Sequence, residues 1–365
     1  MSAHPWRYAV LILREDLSEV GQLPVELDWE PFREWLRFVG LRQGMAAEDA
    51  LALDSLMEPI WHRERGEPFV EGIRARARSR MVSREAVELG TEAFVAPAKG
   101  AIAKLVEESR LTEGESVRYL PMAFAVAPDE PSAVKTPLFR TQSRVQALAI
   151  EEISLGDLVA RSQPPLGGED AGESPGADDV PVFLPQSVID EALALTRRVH
   201  GTFEIGGLLV GHLGRDVNGG GLLVQITGQL IARHIEADST HLTFTSETWT
   251  EFRSALALRG ANEIMLGWWH SHPVREWCKS CSEASQRDCA FRGPFLSAKD
   301  RLLHRAMFPR AYSLALVVND IAFDTPTLSM FGWRRGEIES RGYHVLDLHA
   351  AESAVTETSR SVLHA

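Results

Sequence analysis

The chain has 365 residues, with 38 Lys and Arg against 51 Asp and Glu, a formal net charge of −13. That length allows two domains with cores of their own, and the acidic balance argues against nucleic acid as the partner, because a phosphate backbone takes clustered cations. Residues 1–7 hold no positively flanked apolar core, 8–13 are apolar but too few to cross a bilayer, and 14–19 are charged, so no secretory signal or membrane span is expected and the expected compartment is the cytoplasm.

In chain order, residues 1–161 read as an N-terminal mixed α/β domain with no motif that announces its function. Residues 8–13 are expected as a strand. Asp28 and Pro31 open a helix whose apolar face is Phe32, Trp35, Leu36 and Val39. Residues 46–61 and 69–89 follow a helical period and 101–108 add a short helix, while 122–127 and 145–153 read as strands. Arg74, Arg76, Arg78, Arg80 and Arg84 form a local basic run, either a solvated helix face or a contact surface for an acidic partner. Residues 162–180 are rich in Pro, Gly and acid with almost nothing to bury, the composition of a flexible linker.

A second domain is expected over 181–350, with a frayed tail at 351–365. Pro185 precedes a helix that buries Val188, Ile189, Ala192, Leu193, Leu195 and Val199. A glycine-rich strand follows at 204–210, a loop at 212–221, strands at 222–231 and 240–245, and a helix at 246–258. Residues 264–269 read as a buried strand. A helix carries Leu302, Leu303, Ala306 and Met307, and strands follow at 312–318, 327–333 and 343–348. A central sheet flanked by helices, an α/β fold, is the expected result.

The chemistry gathers around the end of the 264–269 strand. His270 and His272 lie two apart, and on a strand residues two apart share a face, so both imidazoles address one point. Two convergent histidines are half of a metal site. Asp300 offers a carboxylate, with Ser297 three residues before it on the first turn of a helix. Two His, one Asp and an open position form the donor pattern of a catalytic rather than a structural zinc. Upstream, Glu204 heads an apolar strand where a polar residue is out of pattern. The plainer alternatives are polar residues on a half-buried strand, a helix N-cap at Ser297 with Asp300 favourable to the helix dipole, and a solvent-facing carboxylate at Glu204.

Glu204 in Glu-Ile-Gly-Gly-Leu-Leu-Val-Gly, His270-Ser-His272-Pro and Ser297-Ala-Lys-Asp300, in that order, resemble the JAMM (MPN-plus) zinc metalloprotease motif in its prokaryotic branch, over about residues 182–347. The family places its Ser about seven residues after the second His, which here lands on Ser280, with Glu283 in the position of the Asp. Ser297 and Asp300, after an insert of about seventeen residues, are preferred because an apolar helix and then a strand follow them. The resemblance implies a JAMM α/β sandwich with Zn²⁺ on His270, His272 and Asp300. Bound water would fall from a pKa near 15.7 to about 7. Glu204 would take its proton and pass it to the leaving amine. Ser297 would donate a hydrogen bond to the oxyanion. The implied reaction is hydrolysis of a peptide or isopeptide bond at the C-terminus of a ubiquitin-like modifier. The implied partners are that modifier or its conjugates, with conjugation enzymes reached through the N-terminal domain. A catalytically silent scaffold of the same fold, or a zinc peptidase or amidase with an unrelated substrate, are the other two readings.

The chain's three cysteines, Cys278, Cys281 and Cys289, all lie in the insert. An odd count excludes a closed disulfide framework. Cys-x-x-Cys suits tetrahedral zinc with Cys289 as third ligand, so a second, structural zinc is expected to fold the insert, with His304, His212 or Asp288 as the fourth ligand. A redox thiol pair or an unliganded loop competes with it. Trp277 and Phe291, beside His272 in the chain, are expected to pack against an extended substrate tail.

Overall fold

The computed structural model describes residues 6–77, 86–126, 148–163, 166, 180–199, 202–237, 242–259, 262–282, 285, 291, 293, 295–319 and 327–346. They form an α/β protein whose chain divides into two compact units, Met1–Ala147 and Leu148–Ala365.

In the first unit, strand β1 (Trp6–Arg14) pairs antiparallel with β2 (Glu19–Val25). Helix α1 (Glu30–Arg42) carries Pro31 in its first turn, where no amide donor is needed, and buries Phe32, Trp35, Leu36 and Val39 at the expected spacing. Residues 46–61 are not one helix. They make a short α2 (Ala47–Leu51) and then β3 (Ser55–Trp61). Residues 69–89 likewise make β4 (Val70–Ala77) and β5 (Ala86–Leu89), joined with β3 in the order β3-β4-β5. Helix α3 (Val95–Glu107) follows, and β6 (Val117–Ala125) closes the other sheet against β1.

The misreading of β4 has a physical cause. Ala and Arg are strong helix formers, but Ile73, Ala75 and Ala77 are buried while Arg74 and Arg76 alternate with them, a period of two. Arg74 pairs with Glu88 at 2.5 Å and Arg76 with Glu58 at 3.7 Å, so these two members of the basic run face acids across the sheet. Arg78, Arg80 and Arg84 lie outside the described residues.

The second unit begins earlier than expected. Strand β7 (Ile150–Ile153) and helix α4 (Leu155–Ala160) belong to it, because β7 pairs in parallel with β9 (Gly206–Asp216) and Leu158 packs with Phe183, Leu223 and Leu346. Of the expected linker, Ser162 bridges Leu346 and Leu166 bridges Tyr343. Residues 164–165 and 167–179, and the tail, lie outside the described residues. β8 (Val182–Pro185) leads into α5 (Gln186–Arg198), and β9 pairs antiparallel with β10 (Leu222–Ile231). The first half of the expected loop at 212–221 is the end of β9. Its Gly214 marks close packing rather than a turn, since a Cβ there would meet the Ile153 and Leu223 side chains at 2.6 and 2.9 Å.

A ribbon of β11 (Ile235–Ala237) and β12 (Leu242–Phe244) precedes α6 (Ser246–Arg259). Then come β13 (Ile264–His272), a turn of helix α7 (Val274–Trp277), α8 (Ala298–Met307) and β14 (Leu314–Asn319). β15 (Thr327–Arg334), β16 (Glu337–Arg341) and β17 (His344–Leu346) complete the sheet. Its order is β16-β15-β14-β13-β9-β10-β8-β17. β13 therefore lies inside the sheet, parallel to β14 and antiparallel to β9. One face of the sheet packs Trp268, Phe244, Phe252, Phe308 and Trp333 into an aromatic core beside α6 and α8. Among the described residues no helix is long and apolar enough to cross a membrane.

Candidate metal centre

β13 is buried almost throughout, so its alternation decides which side chains meet. Trp268, His270 and His272 share one face, and all three are buried. The His270 and His272 Nε2 atoms stand 3.1 Å apart. Asp300 Oδ2 lies 3.5 Å from the first and 3.7 Å from the second. Among the described residues these three form the one His/Cys/Asp/Glu group whose ligand atoms cluster closely enough to hold a metal.

The carboxylate is held by the local structure of α8. Ser297 is its N-cap, and its Oγ accepts the Asp300 N–H at 3.2 Å while its own N–H donates to Asp300 Oδ2 at 2.8 Å. This reciprocal capping box fixes the oxygen that faces the histidines. The N-cap role considered for Ser297 is thus present, and its hydroxyl hydrogen is not used by that cap.

The three atoms fit a small cation. A triangle with sides 3.1, 3.5 and 3.7 Å has a circumradius of about 2.0 Å, which matches zinc–nitrogen and zinc–oxygen distances of about 2.0–2.2 Å. The protonation states match too. Burial pushes the His272 imidazole below the ordinary histidine range, with Asp300 only partly opposing it. Burial alone would raise the Asp300 carboxyl, but hydrogen bonding and charge from His270, then His272 and Ser297, hold it well below the usual carboxylate range. A neutral imidazole beside an ionised carboxylate is what a metal needs. Among the described residues His270 Nδ1 has no hydrogen-bond partner.

Glu204 lies just before β9. His270 pairs with Gly206, the Ser271 N–H donates to the Ile205 carbonyl at 2.8 Å and the Ile205 N–H donates to Ser271 Oγ at 3.2 Å, so the segment that follows Glu204 is tied to the His270–His272 end of β13. Glu204 is only 2% exposed, which removes the reading of a solvent-facing carboxylate. Gly206 permits this approach, since a Cβ there would meet the Trp269 carbonyl oxygen at 2.3 Å.

Other expected residues fare differently. Cys278 is buried and Cys281 exposed, with the Cys281 N–H turned back to the Cys278 carbonyl at 2.9 Å. Cys289, Asp288 and Glu283 lie outside the described residues. His304 Nδ1 accepts the Trp268 indole N–H at 3.1 Å. His212 Nδ1 faces Glu151 at 3.3 Å. Trp277 and Phe291 pack together with Phe295, and Trp277 and Phe295 lie against His272 at 5.2 and 4.8 Å between ring centroids. The sequence reading missed Asn319, which pairs with His272 at the end of β14 and donates to the Phe291 carbonyl at 3.0 Å. A fully buried Asn closing the run Leu-Ala-Leu-Val-Val was the signal for it.

No family model matches the chain, and no curated protein matches it. Among solved structures, the solution structure of protein DSY2949 from Desulfitobacterium hafniense is similar at 18% identity and a TM-score of 0.32, covering 46% of this chain and 93% of that one. A likeness of that size carries nothing about function. The chemistry of this chain rests on its own donor set, two imidazoles and a carboxylate converging inside an α/β unit.

Proposed function

We propose that the second unit is a zinc-dependent hydrolase of peptide or isopeptide bonds, as the JAMM resemblance implies. The observation that carries the reading is the convergence of His270, His272 and Asp300 on a point about 2.0 Å from each, with buried Glu204 two residues before Gly206, the strand partner of His270. Two imidazoles and one carboxylate favour zinc over magnesium or calcium, which take oxygen donors, and three protein ligands leave a position open. When bound, such an ion supplies an activated water and polarises a carbonyl.

The chain's own residues do the rest. Glu204 accepts the proton of the attacking water and delivers it to the leaving amine, general base and then general acid, a contribution of roughly 10²- to 10⁴-fold. Ser297 Oγ accepts the Asp300 N–H and keeps its own hydrogen to donate to the oxyanion that forms at the attacked carbonyl. His270 and His272 would serve as the imidazole ligands, and the capping box keeps the Asp300 oxygen aimed at them. The substrate we assign is a ubiquitin-like modifier joined through its C-terminus to a lysine amine, met in the cytoplasm. The first unit would bind the modifier, its target or a conjugating enzyme. Cys278, Cys281 and Cys289 would hold a second, structural zinc in the insert.

A cleavage assay on a modifier–lysine conjugate, with and without chelator, tests the activity. Glu204→Gln is expected to keep its zinc and lose about 10²-fold or more in turnover. Cleavage by that variant at the wild-type rate would remove Glu204 from the mechanism. Asp300→Ala is expected to lose the catalytic zinc and Glu283→Ala to keep it, and the reverse result would move the motif to Ser280 and Glu283. Metal analysis settles the insert: a single zinc per chain, unchanged in a Cys278→Ser, Cys281→Ser variant, ends the second site.

A further inference from the structure

We propose that Trp268 and His304 are a positioning pair for His270, in which a stacked indole does the orienting that a hydrogen-bond acceptor does for most imidazole ligands. This rests on the reading of His270 as a metal ligand. Metal-binding histidines are ordinarily held by an acceptor on the ring nitrogen that faces away from the ion. Among the described residues His270 Nδ1 has none. Packing must therefore set its ring plane, and the packing is specific. The Trp268 ring, two residues earlier on the same face of β13, lies 4.4 Å from the His270 ring and within 9° of parallel.

The indole is itself pinned. Its N–H donates to His304 Nδ1 at 3.1 Å, and the Phe308 ring lies 6.3 Å away and within 4° of parallel. An indole nitrogen only donates, so His304 Nδ1 is the acceptor and the His304 proton sits on Nε2. Among the described residues that buried Nε2 has no hydrogen-bond partner. A wholly buried histidine with one nitrogen unsatisfied is a costly way to fill a core. An apolar side chain would fill the space without that cost, and what it would lack is the acceptor for Trp268. His304 also lies four residues after Asp300, and these are the two buried residues of α8. One helix thus supplies one ligand directly and steadies a second through the indole.

Cobalt(II) binding to the metal-free full-length chain separates this role from simple core filling. His304→Leu removes the acceptor, whereas His304→Asn offers an amide oxygen near the place of Nδ1. His304→Leu is expected to weaken cobalt affinity about 10- to 100-fold and to change the visible spectrum of the bound cobalt, and His304→Asn is expected to restore both. A His304→Leu variant with wild-type affinity and spectrum overturns the pair. If that variant does not fold, Trp268→Phe keeps a stacked ring without the N–H, and it must show the same weakening and spectral change or the proposal fails. Wild-type protein that binds no cobalt takes down the ligand reading itself, and this inference with it. Wild-type binding with unaffected variants takes down the inference alone.

Discussion

Asp300 shows how much one side chain carries here. Its Oδ2 accepts the Ser297 N–H and at the same time forms the third corner of the metal triangle. The proposed site was legible in the sequence because its residues obey local periods: His270 and His272 the two-residue alternation of a strand, Ser297 and Asp300 the first turn of a helix. His304 and its contact with Trp268 were not, since that bond spans 36 residues and no local pattern encodes it. His304 also gives a pH prediction. Burial pushes its pKa from 6.5 down to about 3, with the charges of Arg305 and Arg301 adding to the effect. Between those values the unfolded chain takes up the proton and the folded chain does not, so stability falls as pH drops below 6.5. Urea midpoints of metal-free protein at about pH 7.5 and about pH 5.5 should show a loss of about 1 kcal/mol from this group in the wild type. His304→Asn should lack that share of the loss. An equal loss in both proteins would mean that the buried ring titrates as an ordinary histidine.

At the scale of elements, α8 is specified twice over. Its apolar residues were readable as a helix, and Ser297 with Asp300 marks its start. Loss of the cap should act on both stability and the site. Ser297→Ala is expected to cost about 1 kcal/mol in unfolding free energy. It should also weaken metal binding in the same protein, because the Asp300 N–H loses its acceptor and the turn that aims the carboxylate is held only by the Ser297 N–H. Ser297→Asp, which can still cap, should recover the stability. A Ser297→Ala protein with unchanged urea midpoint would mean that the box does not hold the helix end. Elsewhere the element reading failed for a stated reason. In β4 the propensities of Ala and Arg mimic a helix, while the burial alternates residue by residue. In β9 a loop was expected from residue 212 on, but Gly211 and Gly214 sit where neighbouring atoms come too close for a Cβ. Such glycines are legible only once the strands beside them are known.

For the whole molecule, the division of the chain matters most. The Pro- and Gly-rich stretch at 162–180 looked like the boundary by composition, but contacts divide the chain between Ala147 and Leu148. Composition reports which segment has little to bury. It does not report that the strand before that segment has already paired with β9. A fragment from residue 148 onward should therefore fold cooperatively and bind metal. A fragment from residue 181 onward lacks β7 and Leu158, leaving Phe183, Leu223 and Leu346 short of a core partner. Filling no cavity at Leu158 alone costs about 2–5 kcal/mol by analogy with large-to-small core changes, so the shorter fragment should unfold at a markedly lower urea concentration. Equal midpoints would return the boundary to the linker.

The ligands are divided unequally between these elements. β13 is flanked through His270 by β9 and through His272 by β14, whereas Asp300 stands on the first turn of a ten-residue helix. Helix ends open far more often than the middle of a sheet. If an ion is held here as proposed, unwinding of that first turn would free it on the carboxylate side, and its residence time would follow how often the turn opens.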